Sequence, residues 1–208
     1  MIIKKTKFKD LLIVKQKNNS DKRGSLRETF NDKILKKKFI FEYCTISKKN
    51  VFRGFHFQTK NKQSKFVNVV KGKILDVVID LRERSKTFGK IYSIILSKKN
   101  ALGLFIPAGF AHGYFSYDKE NIIYYKLDNY YAPKFESGII YNDPSIDFKW
   151  PKKKMIISQK DRDLPSFIQF KKNPAGVVPN QATFFLAFSH LDQAQLGDVE
   201  DGLAFFIR

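Results

Sequence analysis

Residues Phe66–Leu81 read FVNVVKGKILDVVIDL, two β-branched apolar runs on either side of Lys71-Gly72-Lys73. Valine and isoleucine favour extended backbone, and a glycine between two lysines supplies a tight turn, so the stretch predicts a hairpin from Phe66–Val70 to Ile74–Leu81. Asp76 and Asp80 interrupt the second run. Working outward, Ile91–Leu96, a Lys98-Lys99-Asn100 turn, Leu102–Ile106, a Pro107-Ala108-Gly109 corner, Gly113–Ser116 and Ile122–Leu127 continue the series. Short strands at this spacing, with almost no helical period, predict a mainly β chain folded as an antiparallel sandwich or barrel. Helix is expected only at Asn31–Lys38 and in the C-terminal tail.

The 208 residues suffice for one domain with a full core. The apolar run Leu11–Val14 is too short for a signal-peptide core, and no stretch approaches the roughly 20 apolar residues that cross a bilayer. One cysteine, Cys44, excludes an internal disulfide framework, so a reducing cytoplasm is the expected location and no membrane association is expected. The formal charge of +19 invites a nucleic-acid reading. Against it, only seven of the 39 basic residues are Arg, and the lysines are scattered among Asn and Ile rather than gathered in a stripe. No nucleic-acid partner is expected.

Composition shifts near residue 172. Every Lys precedes position 173, and five of the nine Ala follow it, leaving residues 1–172 at +22 and residues 173–208 at −3. The chain therefore divides into a domain, 1–172, and a compositionally distinct tail, in which Thr183–Gln195 fits an amphipathic helix.

Two of the three histidines lie in dense contexts, Arg53-Gly54-Phe55-His56-Phe57-Gln58 and Ile106–Gly113 (IPAGFAHG). An Arg offers a rigid fork for phosphate oxygens, and a His offers a base near neutral pH, a combination suited to proton transfer on a phosphorylated substrate. The segment has His56-Phe57-Gln58 in place of a His-x-His pair, and no metal or other cofactor is expected.

Asp21–Gly24, Asn50–Gln58 (NVFRGFHFQ), Gly72–Gly89, Leu104–Gly113, Tyr125–Pro133 (YKLDNYYAP), Gly138–Pro144, Trp150-Pro151 and Ser158–Asp161 (SQKD) recur in this order across residues 1–168. This set resembles the dTDP-4-dehydrorhamnose 3,5-epimerase family, a branch of the cupin superfamily. The resemblance implies a cupin jelly-roll barrel and an isomerase acting on a nucleotide-diphospho-4-keto-6-deoxy sugar. It implies His56 as catalytic base, Asp161 as its carboxylate, Tyr125 as the acid on the opposite face, and Lys65 and His112 beside the C4 carbonyl. Arg53 and Arg23 match pyrophosphate-binding positions, Arg23 reaching across a homodimer interface, and Glu28 matches a position near the nucleotide. A 3,4-ketoisomerase on the same scaffold, or a non-catalytic nucleotide-sugar-binding cupin, would be the alternatives. One departure stands out. The family's thymine-reading Gln and Asn are replaced within Phe41-Glu42-Tyr43, and aromatic side chains cannot read a base edge as an amide pair does. GDP-linked hexoses or heptoses are therefore candidate substrates beside dTDP-linked ones.

Overall fold

The computed structural model describes residues 1–174. Strands β1 (Ile2–Lys5), β2 (Leu12–Lys15), β3 (Lys17–Asp21) and β4 (Gly24–Glu28) lead to a one-turn helix α1 (Asp32–Leu35) and then β5 (Phe41–Lys48) and β6 (Phe52–Gln58). There follow β7 (Lys65–Lys71), β8 (Lys73–Asp80), β9 (Ile91–Ser97), β10 (Leu102–Ile106), β11 (Phe110–Ser116) and β12 (Glu120–Leu127). The short strand β13 (Glu136–Gly138) and helices α2 (Gln159–Arg162) and α3 (Phe167–Lys172) complete the described chain.

Two antiparallel sheets face each other, one of order β1-β2-β10-β7-β12-β5 and one of order β13-β6-β11-β8-β9, with β3 and β4 forming a separate ribbon. This is the expected jelly-roll class. The strands at 66–127 fall where the sequence places them, but the expected Phe66–Leu81 hairpin does not form. β7 pairs with β10 and β12, whereas β8 pairs with β11 and β9. The chain at Gly72 therefore crosses from one sheet to the other. Gly72 has φ +81°, and a Cβ there would meet Asn121 Oδ1 at 2.5 Å and the Glu120 carbonyl at 2.6 Å, so the crossing needs glycine for both conformation and space. A turn signal specifies a reversal; which partner each strand takes is decided by the faces that must be buried.

Alternation along β12 illustrates those faces. Asn121, Ile123, Tyr125 and Leu127 are buried, while Ile122, Tyr124 and Lys126 are half-exposed. Ile123, Tyr125 and Leu127 join Val67, Val69, Ile74, Val78, Leu104 and Tyr114 in the core between the sheets. A second apolar cluster lies behind the five-stranded sheet, where Phe52, Phe55, Phe57, Val77 and Ile79 pack against Ile139, Ile146, Phe167 and Phe170.

Asp76 and Asp80 do not break β8. They are fully buried and each has a cation-capable neighbour: His112 for Asp76, and Arg82 for Asp80, which also accepts from Ser85 and Thr87. The helix expected at Asn31–Lys38 shrinks to Asp32–Leu35, capped by Asn31 and ended by Lys36 in the left-handed region. Helices α2 and α3 were unexpected. At four and six residues they are too short to display a 3.6-residue period, although their Ser158 and Ser166 caps stand in the sequence. The expected helix Thr183–Gln195 lies outside the described residues. Among the described residues no helix is long and apolar enough to cross a membrane.

Candidate active site

Arg53 and His56 are three residues apart, and in a regular strand odd spacing sends two side chains to opposite faces. Here both line one cavity. Antiparallel pairing of β6 with β11 explains it: His112 opposes His56 and Tyr114 opposes Arg53, so three steps on β6 match two on β11. The extra residue is a β-bulge at Gly54-Phe55, which returns Arg53 to the inner face. Gly54 has φ +132°, and a Cβ on it would run into the Gly113 backbone.

The imidazole of His56 is held by Asp161, its Nε2 lying 2.8 Å from Asp161 Oδ1, and the other carboxylate oxygen accepts from the Gly54 N–H at 3.2 Å. Asp161 is buried in α2, where Ser158 caps the helix through the Asp161 N–H. Burial pushes its carboxyl up, but the hydrogen bond and charge of His56, with donors from Gly54 and Ser158, outweigh burial and leave it below the ordinary aspartate value. It stays ionised and fixes the ring that it faces.

On β11, His112 is almost fully buried and its Nε2 lies 2.9 Å from Asp76 Oδ2. From the opposite sheet come Lys65 of β7 and Tyr125 of β12. Burial pushes the Lys65 ammonium below the ordinary lysine range, although the negative charges of Glu136 and Asp76 pull the other way. Burial, then Tyr114, Tyr43 and Asp76, hold the Tyr125 hydroxyl well above the ordinary tyrosine value, with Thr45 opposing. Tyr125 therefore keeps its proton at neutral pH.

Two cavities of about 280 Å³ each meet at Tyr43, His56 and Lys65. One contains Arg53, His112, Tyr125 and Asp161; the other is walled by Phe41, Phe57, Gln58, Gln63, Tyr131 and Glu136. The expected His56, Asp161, Tyr125, Lys65, Arg53 and His112 are thus brought together. Arg23 and Glu28 are not brought to this site within the chain. Arg23 sits in the turn of the β3–β4 ribbon, paired with Asp21 and exposed to solvent. Glu28 accepts from Asn31 Nδ2 at 2.7 Å beside α1. Sequence reading missed Asp76, Lys160 and Glu136, and gave Tyr43 only as part of the base-reading segment. Asp76 had a signal, a charge inside an apolar strand, and Lys160 adjoins Asp161; nothing local marks Glu136.

Residues 5–169 match the family model described as dTDP-4-dehydrorhamnose 3,5-epimerase. The dTDP-4-dehydrorhamnose 3,5-epimerase of Methanothermobacter thermautotrophicus is 39% identical over 167 residues, covering 76% of this chain and 90% of that protein. The Shigella flexneri enzyme of the same name is 37% identical, over 81% of this chain and 97% of its own. Among solved structures, the Bacillus anthracis epimerase with TDP and PPi bound superposes with a TM-score of 0.77 at 35% identity, covering 80% of this chain and 99% of that one. The Legionella pneumophila dTDP-6-deoxy-D-glucose-3,5-epimerase in complex with dTDP-4-keto-L-rhamnose gives 0.79 at 32%, covering 86% and 97%. On the strength of this match and of the jelly-roll fold beneath it, the chain belongs to the dTDP-4-dehydrorhamnose 3,5-epimerase family of isomerases.

Proposed function

We propose that the protein inverts C3, C5 or both in a nucleotide-diphospho-4-keto-6-deoxy sugar, with His56 as the base. The observation that carries this reading is an imidazole held by a buried carboxylate on one sheet, facing a protonated phenol on the other across a single cavity. Inversion needs a proton removed on one face of a carbon and returned on the other. The C4 ketone acidifies both neighbouring carbons, so the step moves no electrons to or from a partner and calls for no cofactor.

In this reading His56 takes the α-proton and Asp161 stabilises the imidazolium that forms. Lys65 and His112 donate to the enolate oxygen, and Tyr125 returns a proton from the opposite side. General acid–base catalysis supplies on the order of 10²–10⁴-fold, so enolate stabilisation carries much of the remainder. Arg53, exposed and lining the same cavity with its Nε 3.2 Å from Ser47 Oγ, offers a cationic fork for the diphosphate. Two related structures, one with TDP and PPi bound and one in complex with dTDP-4-keto-L-rhamnose, support a nucleotide-sugar substrate.

The β3–β4 ribbon supports a homodimer. Leu26 on it is 68% exposed, and Arg23 lines neither of the two cavities at His56 but pairs with Asp21 at the solvent surface. In the dimer Arg23 reaches the partner's diphosphate site. Arg23→Ala should then weaken nucleotide binding without changing a dimeric sedimentation coefficient; a fully active monomer would contradict the arrangement.

The deciding experiment is incubation with dTDP- and GDP-linked 4-keto sugars in D₂O, followed by NMR. Deuterium should enter at C3, C5 or both, and His56→Ala should abolish entry while retaining nucleotide binding. Migration of the ketone to C3 would support the ketoisomerase alternative, and binding without exchange would support a non-catalytic role.

A further inference from the structure

Outside the residues assigned so far, one charged cluster adjoins the base. Glu136 is 8% exposed, and its Oε2 accepts from Lys160 Nζ at 2.8 Å and from the Tyr131 hydroxyl. It lines the cavity next to that of Tyr125, on the side of His56 away from Arg53. Strand pairing explains its place: Gly138 opposes His56 and Glu136 opposes Gln58. Lys160 directly precedes Asp161 in α2, a single-turn helix. One turn therefore carries both the carboxylate that holds His56 and the cation that holds Glu136.

We propose that Lys160 and Glu136 are positioning residues for the base: their ion pair pins α2 to β13, and the Glu136 carboxylate adds a second negative charge beside the imidazolium. A four-residue helix has little intrinsic stability, since nucleation costs more than one turn returns, so its orientation depends on such tethers. The Ser158 cap fixes its start and the Lys160–Glu136 pair fixes the side that faces the site. Burial pushes the Glu136 carboxyl up, but His56, Lys160 and Tyr131 outweigh burial and leave it below the ordinary glutamate value, so it is charged when the base works. The charged and titratable groups that share these cavities with His56 are Asp161 and Lys160 from α2, Glu136 from β13, Lys65 from β7, Arg53 from β6, His112 and Tyr114 from β11, Tyr125 from β12, Tyr43 from β5 and Tyr131. Of these, Glu136 and Asp161 are the carboxylates, and Asp161 hydrogen-bonds the ring.

This inference rests on His56 being the base. The test is deuterium exchange into the keto sugar by wild type, Glu136→Gln, Lys160→Gln, the double variant and His56→Ala. Each single variant should lose about tenfold in kcat with KM little changed, and the double variant should lose no more than the worse single, as coupled neighbours do. Glu136→Gln should also move the acidic limb of kcat/KM to lower pH, because a neighbouring negative charge that favours the protonated ring is gone. Lys160→Gln, at a half-exposed site, guards against a folding defect in the buried substitution. Wild-type rates and an unmoved limb in both single variants, or additive losses with a raised KM, would overturn the proposal while leaving the base assignment standing. Exchange surviving in His56→Ala would overturn both.

Discussion

His56 and His112 oppose each other on neighbouring antiparallel strands, and each is held by its own buried aspartate, Asp161 and Asp76, on opposite flanks of the sheet. The two dyads differ in access. His56 is 27% exposed toward the cavities, whereas His112 is 5% exposed and its aspartate fully buried. An accessible ring suits proton removal, and an enclosed one suits a fixed donor to developing charge.

That division predicts different variants. His112→Ala should lower kcat on the order of 10²-fold with binding retained, the scale of removing one donor to an oxyanion. Asp76→Asn should lower kcat less and also reduce stability by on the order of 1–3 kcal/mol, because the buried acceptor loses its charge and gains an amide donor with no partner. Chemical denaturation alongside the exchange assay separates the two effects. Wild-type kcat in His112→Ala would remove this residue from the enolate site.

Tyr125 lies stacked on Tyr43, ring centroids 4.7 Å apart and planes 20° from parallel. Tyr125→Phe keeps this packing and removes only the hydroxyl. Reprotonation should suffer more than abstraction, so α-carbon exchange should persist while product with inverted centres forms slowly. Unchanged turnover with full inversion would make the residue structural.

Acid should unfold the protein through its buried carboxylates. Asp161, Glu136 and Asp80 are each held below their ordinary values by partners that outweigh burial. Depressed folded values mean that the stabilisation is fully present above the unfolded carboxylate range, about pH 4, and is lost as pH falls through the folded values. Thermal melts should be nearly level from pH 7 to about 5 and drop steeply below about 4. Asp161→Asn should start lower and fall less steeply. An equally steep fall in that variant would show that Asp161 carries none of the dependence.

Phe41 and Tyr43 point into the cavities, while Glu42 turns outward to Tyr124 and Lys126. Ring contacts run from Tyr130 through Phe41 and Tyr43 to Tyr125. A site that hydrogen-bonds a base discriminates because a wrong base strands buried polar groups, whereas stacking accepts any base at roughly 1–3 kcal/mol per ring. GDP should therefore bind at least comparably to dTDP in calorimetric titration. A dTDP preference of about a hundredfold, about 2.7 kcal/mol, would place thymine recognition on other residues.

The β class and the strands of 66–127 were legible in the sequence, and the family resemblance singled out His56, Asp161, Tyr125, Lys65, Arg53 and His112, which the fold gathers around one cavity. The strands depend on local chemistry, β-branched runs between turn residues, and the residues on motifs in a recognisable order. Tertiary structure decided what local chemistry leaves open. Strand partners followed the faces to be buried, so a turn that reads as a hairpin at Gly72 became a crossing between sheets. The bulge at Gly54 set the side on which Arg53 emerges, since only pairing with β11 reveals the extra residue. Asp76 read as an interruption because its partner, His112, lies 36 residues away. Glu136 carried no local mark at all, since its role arises from the register of β13 on β6 and from a lysine 24 residues further along the chain.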